Sequence, residues 1–302
     1  VQGSARAFHD IASLLYSEGN DESARIFAHI ALFIYPDLID TKFMLAEINA
    51  DHKQYDAAID YYKAIPSSSE DYVKAQHAIA ELYMETNDSD KAFSILKKLE
   101  SRGDIETLIK IGDFHRKQSN FGLALKSYDK AVKALDGTIP DAYWHLHYVR
   151  GIAYEQTNTW ARAEEELKTA LTFRPNNPFV LNYLGYAWAD KGLNLDESMD
   201  MIKKAVDLRP SDGYITDSLG WVLYRTERYK EAVSVLERAV ELMPYDPTIN
   251  DHLGDAYWKV GRKLEAKFQW ERAKNHSDKD DQIQAIKQKL VSGLSDHKTA
   301  AR

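Results

Sequence analysis

The chain has 302 residues, 44 % of them hydrophobic, with a formal net charge of −8 and no cysteine. That length suits two ordinary domains or one extended array, and no apolar run approaches the length of a membrane-spanning helix. The acidic balance argues against a nucleic-acid partner, which needs a basic face, and the missing thiols exclude a disulfide framework or a thiolate metal site.

From the N-terminus onward, small side chains recur with a period that no single helix has. Ala12, Ala46 and Ala80 lie 34 residues apart, and so do Ala24, Ala58 and Ala92. This predicts three helix-turn-helix units over residues 5–38, 39–72 and 73–104, the first closed by Pro36. A fourth unit, 105–138, carries Gly112, Phe121, Ala124, Tyr128 and Ala131 in the same order. Residues 139–143 (Ile-Pro-Asp-Ala-Tyr) fall outside the period and are expected to form a joint between an N-terminal subdomain, 1–138, and a C-terminal one, 144–280. The two differ in composition. Residues 1–143 hold 16 basic and 23 acidic side chains, residues 144–302 hold 23 and 24, and all six Trp lie in the second stretch.

Beyond the joint the pattern sharpens. Gly151, Gly185, Gly220 and Gly254 are 34, 35 and 34 residues apart, in step with Ala163, Ser198, Ala232 and Ala266 and with Ala170, Ala205, Ala239 and Ala273. The predicted units are 144–177, 178–212, 213–246 and 247–280, with one extra residue in the turn Lys191–Leu195. In the clearest copy, 213–246, Ile215, Leu219, Val222 and Leu223 form one helical stripe, and Glu227 and Arg228 interrupt it. Ala232, Val235, Leu236, Ala239, Val240 and Leu242 form a second stripe, which Pro244 ends. Glycine inside a helix costs roughly 1 kcal/mol relative to alanine, so its recurrence implies close helix packing, with Gly220 and Ala232 letting the two helices approach. In residues 281–294, Ile283, Ile286, Leu290 and Leu294 make one stripe with a polar back, the pattern of a capping helix. Residues 295–302 are expected to be a disordered tail. No comparable cap precedes residue 5, which suggests further helices upstream, and the start at Val1 reads as a trimmed or mature fragment whose leader is out of view.

No catalytic set emerges. There is no Gly-rich phosphate loop, no Gly-x-Ser-x-Gly elbow and no His-Glu-x-x-His pair, so neither an enzyme nor a cofactor or metal is expected. His145 and His147 stand two apart on a helix and cannot chelate one ion together. The run Glu164–Glu166 reads as a solvated face at a helix start, and Ser67–Ser69 after Pro66 reads as a turn.

The series Leu219, Gly220, Leu223, Tyr229, Ala232, Leu236, Ala239 and Pro244, with its copies, resembles the tetratricopeptide repeat. The resemblance spans about nine-tenths of the chain and implies an all-α, right-handed superhelical solenoid of about eight repeats with a C-terminal capping helix. In such arrays the first helix of each repeat lines the concave face, through its second, fifth, ninth, twelfth and thirteenth positions. Carried over, and with the neighbouring sixth position included, these give a candidate peptide groove. It comprises Phe179, Asn182, Tyr183 and Tyr186; Tyr214, Asp217, Trp221, Tyr224 and Arg225; and Asp251, His252, Asp255, Trp258 and Lys259. Large aromatics there are binding hot-spot types, and Asp217, Asp251, Asp255, Arg225 and Lys259 could bond a peptide backbone or its charges. The competing reading is that the rings pack between neighbouring first helices and only fill a tight groove. The same register in the first half gives Asp40, Phe43, Glu47 and Asp51, then Lys74, His77, Glu81 and Glu85: a solvated acidic face, or a dock for a basic partner. Chaperone-binding members of the family hold a C-terminal carboxylate with a Lys/Asn clamp. Here those positions read Asn182/Tyr186, Asp217/Trp221 and Asp251/Asp255, so that function is not implied.

The stretch Asp217–Tyr224, followed by Asn250–Trp258, is similar to the C-terminal repeats of bacterial envelope tetratricopeptide lipoproteins, some of which are adaptors of periplasmic carboxyl-terminal processing proteases. That likeness covers chiefly residues 178–275. It implies a non-enzymatic periplasmic scaffold that binds the protease and its substrates, tethered to the outer membrane by a lipid on a Cys that this chain does not contain. The alternatives are a cytosolic scaffold for assembly or secretion, and a regulatory part of a larger trimmed enzyme.

Overall fold

The structure is a computed structural model and describes residues 1–294. The expected disordered tail lies outside the described residues. Among the described residues there are 17 α-helices, one short 3-10 helix and no strand. The chain divides into two compact units, one of residues 1–140 and one beginning at Asp141.

The first unit contains α1 (Gln2–Ser17), α2 (Asp21–Ile34), α3 (Ile39–Asp51), α4 (Tyr55–Lys63), α5 (Tyr72–Glu85), α6 (Ser89–Glu100), α7 (Ile105–Lys117) and α8 (Phe121–Ala134). The second opens with the 3-10 helix Asp141–Tyr143 and continues with α9 (Trp144–Gln156), α10 (Trp160–Phe173), α11 (Pro178–Lys191), α12 (Leu195–Leu208), α13 (Gly213–Arg225), α14 (Tyr229–Leu242), α15 (Pro247–Lys259), α16 (Lys263–His276) and α17 (Asp280–Ser292). Consecutive helices pair as antiparallel hairpins, and within each unit a hairpin's second helix packs against the first helix of the next. This is the all-α solenoid of helix-turn-helix units that the repeat predicts.

One backbone device makes the turn inside each of the eight hairpins. Gly19, Gly192 and Gly261 adopt φ of 76°, 69° and 87°, and Lys53, Asn87, Ser119, Asn158 and Glu227 at the matching place adopt φ between 56° and 60°. Each occupies the fifteenth position of its repeat, where the chain leaves one helix in the left-handed region and enters the next. Glycine and asparagine tolerate that region; Lys53, Ser119 and Glu227 are held there by the helices on either side. In the second unit the first helices also start on side-chain caps. Asn177, Asp212 and Asp246 accept the exposed N–H groups of α11, α13 and α15.

The helical glycines sit where the two helices of a hairpin touch. A methyl group on Gly220 would overlap Leu236, one on Gly254 would overlap Trp270, and one on Gly112 would overlap Tyr128. The atoms nearest Gly220 belong to Leu236, four residues beyond Ala232, and Ala232 is itself fully buried. Gly151 and Gly185 do approach the backbone oxygens of Ala163 and Ser198, within 3.3 and 3.2 Å of where a Cβ would stand. In the first three repeats Ala12, Ala46 and Ala80 take the glycine position and are buried.

Candidate protein-binding face

Helices α11, α13 and α15 bring together the candidate groove of the second unit, and its residues fall into three groups. Phe179 and Tyr214 are open to solvent, at 45 % and 56 % exposure. Tyr183, Tyr186, Trp221, Tyr224 and Trp258 are half-buried, and Tyr186, Tyr224 and Trp258 pack against the core of the unit, so these rings share in the packing while keeping part of their surface open. Asp217, His252 and Asp255 are buried.

The rings form one ladder. Trp221 stacks on His252 (centroids 4.3 Å apart, planes at 19°) and on Tyr224 (5.1 Å, 8°), and Tyr224 meets Tyr229 edge-on at 5.3 Å. The Arg225 guanidinium lies 6.0 Å from the Trp221 ring, and its Nη1 donates to the Asp190 carbonyl at 2.6 Å. Tyr183 packs edge-on to Tyr148 at 6.1 Å. Trp258 is used by the fold more than its position predicts. It lies against the buried Trp270 at 5.3 Å, Gly293 closes directly on its ring, and the Lys263 ammonium sits 3.7 Å over it. Lys259 stands 6.0 Å from the Tyr229 ring.

The acids are the main correction to the sequence reading. Asp217 is held by His252, whose Nδ1 lies 3.0 Å from both carboxylate oxygens. Asp255 accepts from Trp270 Nε1 at 2.9 Å and from Lys289 Nζ at 2.9 Å, and Asp251 accepts from the same ammonium at 2.8 Å. A buried carboxylate is tolerated only when paired and hydrogen-bonded, so these three groups are engaged within the chain, not presented to a visitor. Lys289, on α17, was not visible as a site residue from the sequence. Its distance of 34 residues from Asp255 was the available signal, because it continues the repeat register into the cap. Burial alone would lower the pKa of His252, but Asp217, Asp251 and Asp255 outweigh it and the net shift is upward. Burial raises Asp255 despite the opposing pull of Lys289. Burial also raises the phenols of Tyr183, Tyr186 and Tyr224, so they remain neutral donors.

Two polar groups in the face have no partner among the described residues: the buried Asn182 Oδ1 on α11 and the buried Trp221 Nε1 on α13.

The corresponding face of the first unit is built differently. Adjoining hollows of about 480 Å³ and 360 Å³ both meet Glu47, Tyr62 and Glu81 along α3, α4 and α5. Asp51 accepts from the Tyr16 hydroxyl at 2.7 Å, Glu81 pairs with Lys110 at 2.5 Å, and Lys74 lies 4.6 Å over the Phe43 ring. His77 bonds Thr107 Oγ1 at 2.7 Å, and burial followed by the nearby Lys110 lowers its pKa.

The Glu164–Glu166 run is also corrected. Glu166 bonds His147 Nδ1 at 2.6 Å and forms an ion pair with Arg150, Nε lying 3.0 Å away, and Glu164 accepts from Trp188 Nε1 at 3.0 Å, because the helix turns these acids toward α9 and α11. Among the described residues no group of His, Cys, Asp or Glu is placed to hold a metal, and no helix is long and apolar enough to cross a membrane.

Helical hairpins of one register, stacked within each unit, define a repeat scaffold. The chain belongs to the tetratricopeptide repeat family, which matches residues 40–286 and whose members generally act as protein–protein interaction scaffolds. It is similar to the TPR repeat-containing protein PA4667 of Pseudomonas aeruginosa strain PAO1, 27 % identical over 193 residues, covering 63 % of this chain and 32 % of that protein. The matched region thus spans about a third of that relative. Among solved structures, the APC/C hetero-tetramer Cut9–Hcn1 matches with a TM-score of 0.68 at 16 % identity, covering 94 % of this chain and 55 % of the other. TTC0263, a thermophilic TPR protein of Thermus thermophilus, matches at 0.53 and 19 % identity, covering 62 % of this chain and 100 % of the other. At these identities the structural likenesses speak to fold alone.

Proposed function

We propose that the second unit holds an extended polypeptide along α11, α13 and α15, and that the chain acts without chemistry of its own as a periplasmic adaptor. Its role is to bring substrates to a carboxyl-terminal processing protease. One observation carries the binding reading. Asn182 Oδ1 and Trp221 Nε1, an acceptor and a donor on neighbouring first helices, are both enclosed and unpaired. An unmade buried hydrogen bond costs about 1–3 kcal/mol, so each group favours an opening of the face that lets a main-chain N–H or C=O reach it. The exposed rings of Phe179 and Tyr214 stand on the same two helices and supply contact area at small entropy loss. Because Asp217, Asp251 and Asp255 are spent internally, recognition here rests on rings and main-chain bonds, which suits a scaffold that accepts varied sequences.

The adaptor role and the periplasmic setting are supported by the likeness of Asp217–Tyr224 and Asn250–Trp258 to envelope lipoprotein adaptors. An adaptor of this kind works by effective concentration, tethering substrate and protease together. The test captures the protease from native cells on the immobilised chain, identifies it by mass spectrometry, and follows its rate on a native substrate with and without the chain. The expected result is recovery of a carboxyl-terminal processing protease and a faster rate. Phe179→Ala with Tyr214→Ala should abolish substrate capture at unchanged helical content. Absence of the protease from the captured set, or an unchanged rate, sinks the adaptor reading.

A further inference from the structure

The seventh position of the first helix is aliphatic in every repeat but the fifth, where it is Arg150. Leu45, Ile79, Ile111, Leu184 and Leu253 are buried there. Glu166 likewise stands where Tyr61, Ile95, Met201 and Val235 pack against cores. Arg150 and Glu166 pair with each other at 3.0 Å, their side chains only 12 % and 15 % exposed. An apolar pair in place of a buried ion pair is often as stable or more so, so packing gives no reason for charge at this place. These groups line a cleft of about 240 Å³ between α9 and α10. In it the buried Tyr154 turns its phenol oxygen to two guanidiniums: Arg150 Nη2 donates to it at 3.2 Å and Arg162 Nη1 at 3.5 Å. Two cations thus converge on one oxygen. Glu166 answers Arg150 on one side and His147, at 2.6 Å, on the other. The exposed Arg162 has no carboxylate paired to it among the described residues, and the Tyr154 proton has no acceptor there.

We propose that this cleft binds a carboxylate carried by a polypeptide, either an aspartate or glutamate side chain or a chain end. The carboxylate accepts from the Arg162 guanidinium and from the Tyr154 O–H. These two donors stand 3.5 Å apart, a span that one carboxylate bridges. The class of ligand follows from the lining. A planar guanidinium matches a planar carboxylate. Glu165 is exposed, lines the same cleft and has no cation paired to it, so it repels a doubly charged phosphate more strongly than a singly charged carboxylate. The volume leaves room for one side chain of a docked segment and not for a folded element. The site lies on α9 and α10, a different hairpin from the ring-bearing helices α11, α13 and α15, and does not depend on the reading of that wall.

Calorimetric titration of the 302-residue chain tests the site with three acetylated alanine peptides. One carries a single glutamate and an amidated end, the second has glutamine in its place, and the third is the glutamine peptide with a free carboxyl end. The expected result is binding of the glutamate or the free-acid peptide roughly tenfold tighter than of the amidated glutamine peptide. Preference for the glutamate peptide identifies a side chain as the source and preference for the free acid a chain end, and either supports the proposal. Arg162→Gln, at an exposed position that the fold does not need, should remove the discrimination. Arg162→Lys keeps the charge without the planar fork and should restore part of it. Phe179→Ala with Tyr214→Ala should leave it unchanged, which separates this site from the groove. Equal binding of all three peptides, or binding of none, overturns the proposal. Discrimination that persists in Arg162→Gln overturns it too, as does inorganic phosphate binding tighter than either acid, which assigns the cleft to phosphate.

Discussion

The two units are stacks of one hairpin type with opposite treatments of charge on the inner wall. In the second unit the carboxylates of Asp217, Asp251 and Asp255 are drawn inward and neutralised by His252 and Lys289, and the wall shows rings. In the first unit Glu47 and Glu81 stay at the surface around open hollows, and their nearest aromatics, Phe43 and Tyr62, are buried. The backbone repeat therefore sets where a ligand-facing position stands, and the neighbouring repeat decides whether the residue there is available.

The largest expected effect comes from removing the cation on each side. Lys289→Met leaves Asp251 and Asp255 without their shared cation, Asp255 keeping only its bond from Trp270, and should destabilise the second unit by about 2–4 kcal/mol. Lys110→Met removes a partner from Glu81, whose side chain is 64 % exposed, and should cost less than about 1 kcal/mol. Urea unfolding resolves the two, because all six Trp belong to the second unit and its transition can be followed by tryptophan fluorescence. Equal losses would erase the distinction between the two walls.

Next in size is the small-residue seam. Gly254→Ala forces a methyl group into the fully buried Trp270 and should cost about 1–3 kcal/mol. Ala46→Gly at the matching place in the first unit should cost only about 1 kcal/mol, the helix propensity difference.

The two buried histidines give a comparison of sign. His252 is raised from 6.5, so its contribution is fully present below pH 6.5 and is lost as pH rises through its folded value. His77 is lowered from 6.5, so its contribution is present above pH 6.5 and is lost as pH falls through its folded value. The second unit should weaken as pH rises above 6.5, and the first as pH falls below 6.5. His252→Gln should flatten the first slope and His77→Gln the second, measured as midpoint denaturant concentration against pH. A common slope in both units would contradict this account.

The smallest effect should be blind to the unit. Lys53→Gly and Glu227→Gly relieve a left-handed backbone in the first and second units, and each should stabilise by up to about 1 kcal/mol. Thermal melts of the two variants test whether the turns are equivalent, as the repeat requires.

Much of this was legible in one dimension. The 34-residue spacing of Ala12, Ala46 and Ala80 and the matching series of Gly151, Gly220 and Gly254 located the hairpins, and Ile283, Ile286 and Leu290 located the cap. The rings of Tyr186, Trp221 and Tyr224 were assigned to one wall by register alone. The acids were misread, because Asp217 and Asp255 look like solvent-facing groups until His252, Trp270 and Lys289 are seen beside them. Trp258 was assigned to the wall without its second duty against Trp270 and Gly293.

The sequence by itself determined the period, and with it the helices, their turns and the small-residue seams, because those depend on neighbours within about 34 positions along the chain. Only the tertiary structure decided which polar side chains are spent and which remain unsatisfied. Pairing depends on distances between repeats of a few ångströms, and a spacing in sequence fixes the face a residue shares but not the atom it meets.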